Sequence, residues 1–144
     1  MGDVEILYIP RMEERQADLL SSCLVSLADE EIERMVAEGI LAKRLSKTGA
    51  PAWGEKNKLA VHRSGIPVDL FRTSPESWWN YLVCRTGPAE SNTRIASEAK
   101  WRGYRWNPYG TGFTKLEDGT VTPMNSEHEV FAFVGLPYYE PWER

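Results

Sequence analysis

The sequence predicts a mixed α+β fold, on three observations. Two segments rich in β-branched and aliphatic residues, Val4–Ile9 and Ile66–Thr73, read as strands. Between and after them lie stretches with apolar residues at helical spacing. Turn-forming pairs, Ser64-Gly65 among them, punctuate the chain as hairpins require.

The elements follow in order. Val4–Ile9 is a strand ended by Pro10, and Arg11–Gln16 is a polar loop or helix start. Ala17–Ala28 places Leu19, Leu20, Cys23, Leu24 and Leu27 at the spacing of an amphipathic helix. Asp29–Glu38 is a second helical piece, with Asp29 as N-cap and Gly39 as C-cap. Lys47–Glu55 is turn-rich and read as a loop. Lys58–Arg63 and Ile66–Thr73 pair as a hairpin around Ser64-Gly65. Ser74-Pro75-Glu76 opens a helix, with Ser74 as cap and Pro75 at the first helical position. A further helix runs from Pro88 to about Gly103. Tyr104–Thr122 holds strands turning at Asn107–Gly110 and Glu117–Gly119. Ser126 and Glu129 form a capping box for a last helix ending at Gly135. The seam between a strand-bearing N-terminal part and a helical, hairpin-bearing C-terminal part falls near Ser74. Of the six tryptophans, Trp78, Trp79, Trp101 and Trp106 are expected in the core.

Composition narrows the function classes. The chain has 144 residues, enough for one domain or two small subdomains. Its hydrophobic content of 42% and charged content of 26% are those of a soluble globular protein. No apolar run approaches the roughly 20 residues of a membrane span, and Gly2, Asp3 and Glu5 do not begin a signal peptide. A cytoplasmic location without membrane partners is expected. Cys23, Cys84, His62 and His128 have no zinc-ligand spacing. A net charge of −4 argues against coating nucleic acid by bulk charge. The charge is uneven, however: Arg85, Arg94, Lys100, Arg102 and Arg105 are opposed in their stretch only by Glu90 and Glu98.

The residues that carry chemistry are carboxylates. Asp3 and Glu5 are two apart on a strand and so share a face, with starting points roughly 6.5–7 Å apart. Asp69 sits in mid-strand between Val68 and Leu70, where a charge is costly to bury unless paired or metal-bound. If the two strands are neighbours, three carboxylates meet. Such a set suits hard cations such as Mg²⁺ or Mn²⁺, which take oxygen ligands. Alternatively, the acids are solvated or ion-paired.

Several segments, in order, resemble the X-family (polymerase beta-like) DNA polymerases, with wording closest to small phage-type members. Gly2-Asp3-Val4-Glu5-Ile6-Leu7 resembles the family's first metal-binding strand. Val68-Asp69-Leu70-Phe71 resembles the later palm strand that bears the third carboxylate. Arg85-Thr86-Gly87-Pro88-Ala89-Glu90-Ser91-Asn92 resembles the Y-F-T-G-S…N segment over the incoming nucleotide. Trp106-Asn107-Pro108-Tyr109-Gly110 resembles the L-N-E-Y-G strand. Gly135-Leu136-Pro137-Tyr138-Tyr139-Glu140-Pro141-Trp142-Glu143-Arg144 resembles the G-L-P-Y-I-P-P-E-x-R close of the thumb.

The resemblance implies a palm subdomain over residues 1–74 and a thumb over 75–144. It implies catalytic and metal roles for Asp3, Glu5 and Asp69, with Mg²⁺ or Mn²⁺ as cofactor. It implies nucleotide contacts at Arg85, Thr86, Gly87 and Asn92. DNA and a deoxynucleoside triphosphate become the expected partners, with Arg94, Lys100, Arg102, Arg105, Asn107 and Tyr109 toward the nucleic acid. Tyr104 is a further aromatic candidate there. The sequence departs from the family in three places. The G-S-x-R-R helix start that holds the triphosphate in the family does not occur here. Cys84-Arg85 stands where the larger polymerases have two aromatics, and Pro88 replaces a serine. Weak or no polymerase activity is therefore expected of this chain alone, with self-association or a partner chain supplying the helix. A non-catalytic nucleic-acid-binding or assembly module is the alternative.

Overall fold

The computed structural model describes residues 2–144. The chain divides into two units, Met1–Thr73 and Ser74–Arg144.

In the first unit a four-stranded sheet has the order β1 (Val4–Tyr8), β6 (Pro67–Arg72), β5 (Asn57–His62), β4 (Leu41–Lys43). β1 runs parallel to β6, and β5 is antiparallel to both β6 and β4. The β5–β6 hairpin turns through Gly65, whose φ of 90° lies in the left-handed region. One face of the sheet carries Leu41, Ala60 and Leu70 and packs on Ile32 of α1 (Leu27–Ala37). On that face Asp29 gathers three donors. Tyr8 donates at 2.6 Å and Lys58 at 3.1 Å to Oδ1, and Arg72 at 3.0 Å to Oδ2. Burial alone would raise the Asp29 carboxyl, yet hydrogen bonds with Tyr8, Ser26 and Lys58 outweigh it and hold the group below its ordinary range. The Tyr8 phenol moves the other way, pushed up first by burial and then by its bond to Asp29.

Two expectations fail here. Ala17–Ala28 is not a helix, and Arg11–Gln16 is not a loop. Instead β2 (Met12–Gln16) and β3 (Ser22–Ser26) form an antiparallel hairpin of their own. Its turn is closed by Asp18, whose Oδ1 accepts from the Leu20 and Ser21 amides at 2.8 and 2.9 Å. The leucines that set the helical spacing face solvent, with Leu19 93% and Leu20 99% exposed. The N-cap of α1 is Ser26, whose Oγ accepts from the Asp29 amide, and not Asp29. Gly39, with φ of 75°, follows the helix end in the left-handed conformation common there.

In the second unit, α2 (Trp78–Thr86), α3 (Ala89–Trp101) and α4 (Glu127–Phe133) surround a three-stranded antiparallel sheet. Its strands are β7 (Tyr104–Trp106), β8 (Gly112–Lys115) and β9 (Val121–Pro123), in that order. The core holds Val83, Ile95, Trp106, Phe113, Val130 and Val134. Phe113 stacks on Phe133 with centroids 4.5 Å apart. Within this core lies a polar group: fully buried Asn80 accepts from the Trp106 indole N–H at 2.9 Å. Gly112 is required by close approach, because a Cβ there would lie 1.9 Å from the Thr122 carbonyl oxygen. The helix expected to open at Ser74-Pro75 begins three residues later, behind Ser77, so Pro75 belongs to the preceding turn. Ser126 caps α4 as expected, accepting from the Glu129 amide at 3.1 Å, while the Glu129 carboxylate reaches back one residue further, to the Asn125 amide. Trp106 is core, but Trp101 is 88% exposed at the end of α3, contrary to its expected burial.

Candidate functional site

Strand register decides where the carboxylates fall. In the parallel β1–β6 pair, Glu5 lies directly opposite Asp69. Side chains paired across a ladder share a face, and Asp3 lies two residues before Glu5 on the same side. The three acids therefore line the sheet face opposite α1. Asp3 is half-exposed and Asp69 is buried.

The row continues across the sheet. Leu59 of β5 is opposite Asp69, and its carbonyl accepts from the Arg44 amide at 2.9 Å. Arg44, just past β4, thus sits on the same line. Its guanidinium reaches over Leu59 and donates from Nη2 to Asp69 Oδ1 at 2.8 Å, while Nη1 lies 3.9 Å from Asp3 Oδ2. A charge between Val68 and Leu70 must be paired if it is buried, and the partner is this arginine. Sequence reading missed Arg44.

In kind, the donors fit a magnesium-type cation: three carboxylates on one sheet face, two of them direct cross-strand neighbours. In the arrangement seen, positive charge at Asp3 and Asp69 comes from Arg44. Among the described residues, no group of three or more acidic, histidine or cysteine side chains converges closely enough to hold an ion.

The candidate binding residues of the second unit lie around α3. The Thr86-Gly87 turn leads into a cis Gly87–Pro88 peptide, with Gly87 at φ 66°. Asn92, on the first turns of α3, donates to the Cys84 carbonyl at 2.9 Å, and its own Oδ1 is buried without a partner. Asn92 therefore ties α3 back to α2. Arg85 is half-buried at the end of α2. Arg94 and Lys100 are both exposed on α3 but point about 120° apart around its axis, so the helix alone does not make them one basic face. Arg102 is held by Glu98 at 3.0 Å, and Arg105 is exposed on β7. Asn107 donates to the Thr114 hydroxyl at 2.6 Å, and Tyr109 packs on Tyr81 with half its surface exposed. Tyr104 is turned inward, edge-on to Phe133.

The tail forms a further structured corner. Arg144 donates from Nε to the Tyr139 carbonyl at 2.8 Å and from Nη2 to Glu127 at 3.2 Å, and lies over the rings of Phe131 and Tyr138. Beside it, a cavity of about 420 Å³ is lined by Ser91, Arg94, Leu136 and Tyr139 among others.

No helix among the described residues is long and apolar enough to cross a membrane. A family model, DNA polymerase beta thumb, matches residues 81–144. Among solved structures, Leishmania infantum polymerase beta in a ternary P/T complex is similar with a TM-score of 0.70 and 19% identity, over 98% of this chain and 60% of that one. The same polymerase in a ternary gap complex gives 0.65 and 17% identity, over 80% and 48%. The chain thus spans less than two thirds of that polymerase's length. No curated protein matches the sequence. Residues 81–144 therefore match the polymerase beta thumb in sequence, and the α+β fold of the chain is similar to that of polymerase beta along nearly its whole length.

Proposed function

We propose that the chain provides the palm (1–74) and thumb (75–144) of an X-family nucleotidyltransferase that transfers a nucleotide to a DNA 3′-hydroxyl. The observation that carries this reading is the β1–β6 register, which puts Glu5 and Asp69 side by side with Asp3 next to them. Asp3, Glu5 and Asp69 would hold Mg²⁺ or Mn²⁺. When bound, such ions supply activation of the attacking hydroxyl and charge stabilisation at the leaving phosphate oxygen.

The protein's own part is positioning. The backbone fixes Glu5 and Asp69 in register, so their separation does not depend on a mobile loop. In the thumb, Arg85, Thr86, Gly87 and Asn92 are assigned to the deoxynucleoside triphosphate. Gly87, lacking a side chain, allows close approach of a sugar. Arg94, Lys100, Arg102 and Arg105 would meet phosphates without reading sequence, with Asn107 and Tyr109 beside them.

A non-catalytic nucleic-acid-binding module is the second reading, and the Arg44–Asp69 ion pair favours it, since an arginine already occupies Asp69. Calorimetric titration of Mg²⁺ and a deoxynucleoside triphosphate separates the two. The first reading expects binding in the wild type that is lost in an Asp3→Ala, Asp69→Ala variant. Binding that is the same in both proteins, or absent from both, would leave the second.

A further inference from the structure

Arg44 is not a stray surface cation. Its backbone is pinned on both sides: its amide donates to the Leu59 carbonyl at 2.9 Å, and its carbonyl accepts from the Ala52 amide at 3.1 Å. This anchorage sets the root of the side chain in line with Leu59 and Asp69, so the guanidinium has one acidic target across the strand. It meets Asp69 with a charge-assisted hydrogen bond and stands within ion-pair distance of Asp3. Its side chain is 29% exposed. The guanidinium can swing into water while both backbone bonds stay intact.

We propose that Arg44 is a displaceable counter-cation: it offsets part of the charge of Asp3 and Asp69 in the metal-free protein and competes with a divalent cation for Asp69. The inference rests on the reading of Asp3, Glu5 and Asp69 as metal ligands. Its physical basis is that a guanidinium and a divalent ion repel at contact distance, so each weakens the other's hold on the same carboxylate. Bringing carboxylates together without a cation is unfavourable, so Arg44 supports the fold when metal is scarce. In exchange it weakens metal binding by the free energy of its own bond to Asp69. Arg44 is thus a residue that sets metal affinity, acting through Asp69 and not on substrate.

The test reads binding and not turnover. Free Mn²⁺ is followed by electron paramagnetic resonance in titrations of the wild type, Arg44→Gln, Asp69→Asn and the double variant. The expected result is Mn²⁺ affinity about tenfold tighter in Arg44→Gln, equal to roughly 1.4 kcal/mol, and loss of the site with Asp69→Asn in both backgrounds. Equal or weaker affinity in Arg44→Gln, with Asp69→Asn still abolishing binding, overturns the role of Arg44 and leaves the carboxylate reading standing. Absence of any Asp69-dependent binding overturns both. A measurement on the unaltered chain guards against a misfolded variant: Mg²⁺ should shift the Arg44 side-chain ¹⁵Nε resonance in step with Asp69 saturation. An Arg44 signal that stays still while the Asp69 carboxyl resonance moves overturns the proposal by itself.

Discussion

The buried Asn80–Trp106 hydrogen bond yields a sharp energetic prediction. Asn80 is fully buried, its Oδ1 accepts from the indole N–H at 2.9 Å, and its Nδ2 has no partner. Trp106→Phe removes the one donor and leaves the whole amide unsatisfied, at about 1–3 kcal/mol. The smaller ring also gives up apolar contact, for which about 40 Å² at about 25 cal/mol/Å² adds ~1 kcal/mol. The single variant should thus lose about 2–4 kcal/mol. In an Asn80→Leu background no amide is left to orphan, and the ring change also removes an indole N–H that has lost its acceptor, so it should cost about 1 kcal/mol at most. The coupling across the cycle is then about 1–3 kcal/mol. Urea denaturation of all four proteins, followed by far-ultraviolet circular dichroism, measures it without relying on tryptophan emission. Additivity within about 0.3–0.5 kcal/mol would refute the claim that this bond carries the coupling.

Three further outcomes follow from the same structure. Gly112→Ala forces a methyl into the Thr122 carbonyl, so β9 must move away from β8. The expected cost is about 1–3 kcal/mol, with faster hydrogen exchange at the Lys115 and Met124 amides, which donate to the Thr120 and Thr111 carbonyls across this pair of strands, as the local sign; unchanged exchange counts against it. Asp29 is held below its usual carboxylate range, so its contribution is complete above the reference value of 3.8 and is lost as pH falls through the depressed folded value. The stability gap between wild type and Asp29→Asn should accordingly be wide at pH 7 and narrow in strong acid, whereas a gap independent of pH would contradict the network. Arg144→Lys keeps the charge but loses the planar fork that joins Tyr139 to Glu127 and stacks on Phe131 and Tyr138. A loss of about 1–2 kcal/mol is expected in thermal unfolding, and an unchanged midpoint would mean the tail is held by its prolines and aromatics alone.

Much of the architecture was legible because local and long-range preferences agree. Ser64-Gly65 between two β-branched runs could only fold back on itself, and the turns at Asn107–Gly110 and Glu117–Gly119 separate the three strands of the second sheet. The failure at Ala17–Ala28 has a specific cause. Helical periodicity is informative when the apolar residues are the ones that get buried. Here Leu19, Leu20 and Leu24 are solvent-facing, and the Asp18 side-chain turn supplies backbone bonds that a helix would otherwise make. The two-residue spacing of Asp3 and Glu5 was readable, and so was the cost of an acid between Val68 and Leu70. That Glu5 faces Asp69 depends on the parallel pairing of distant segments, which no local pattern encodes. Arg44 was out of reach for the same reason, since its tie to Asp69 exists only once β4, β5 and β6 lie side by side.

The strand order β1-β6-β5-β4 carries a kinetic consequence. β5 and β6 are joined by a tight turn and can zip together early, in the microsecond range of hairpins. β1 must wait for a partner drawn from the far end of the same unit, which makes its docking the step of highest contact order and the slowest to nucleate. During synthesis β1 emerges well before β6, with Val4 and Ile6 along one side, and lacks this partner until β6 leaves the ribosome. Interrupted or truncated translation would therefore release a chain with a sticky, unsatisfied edge.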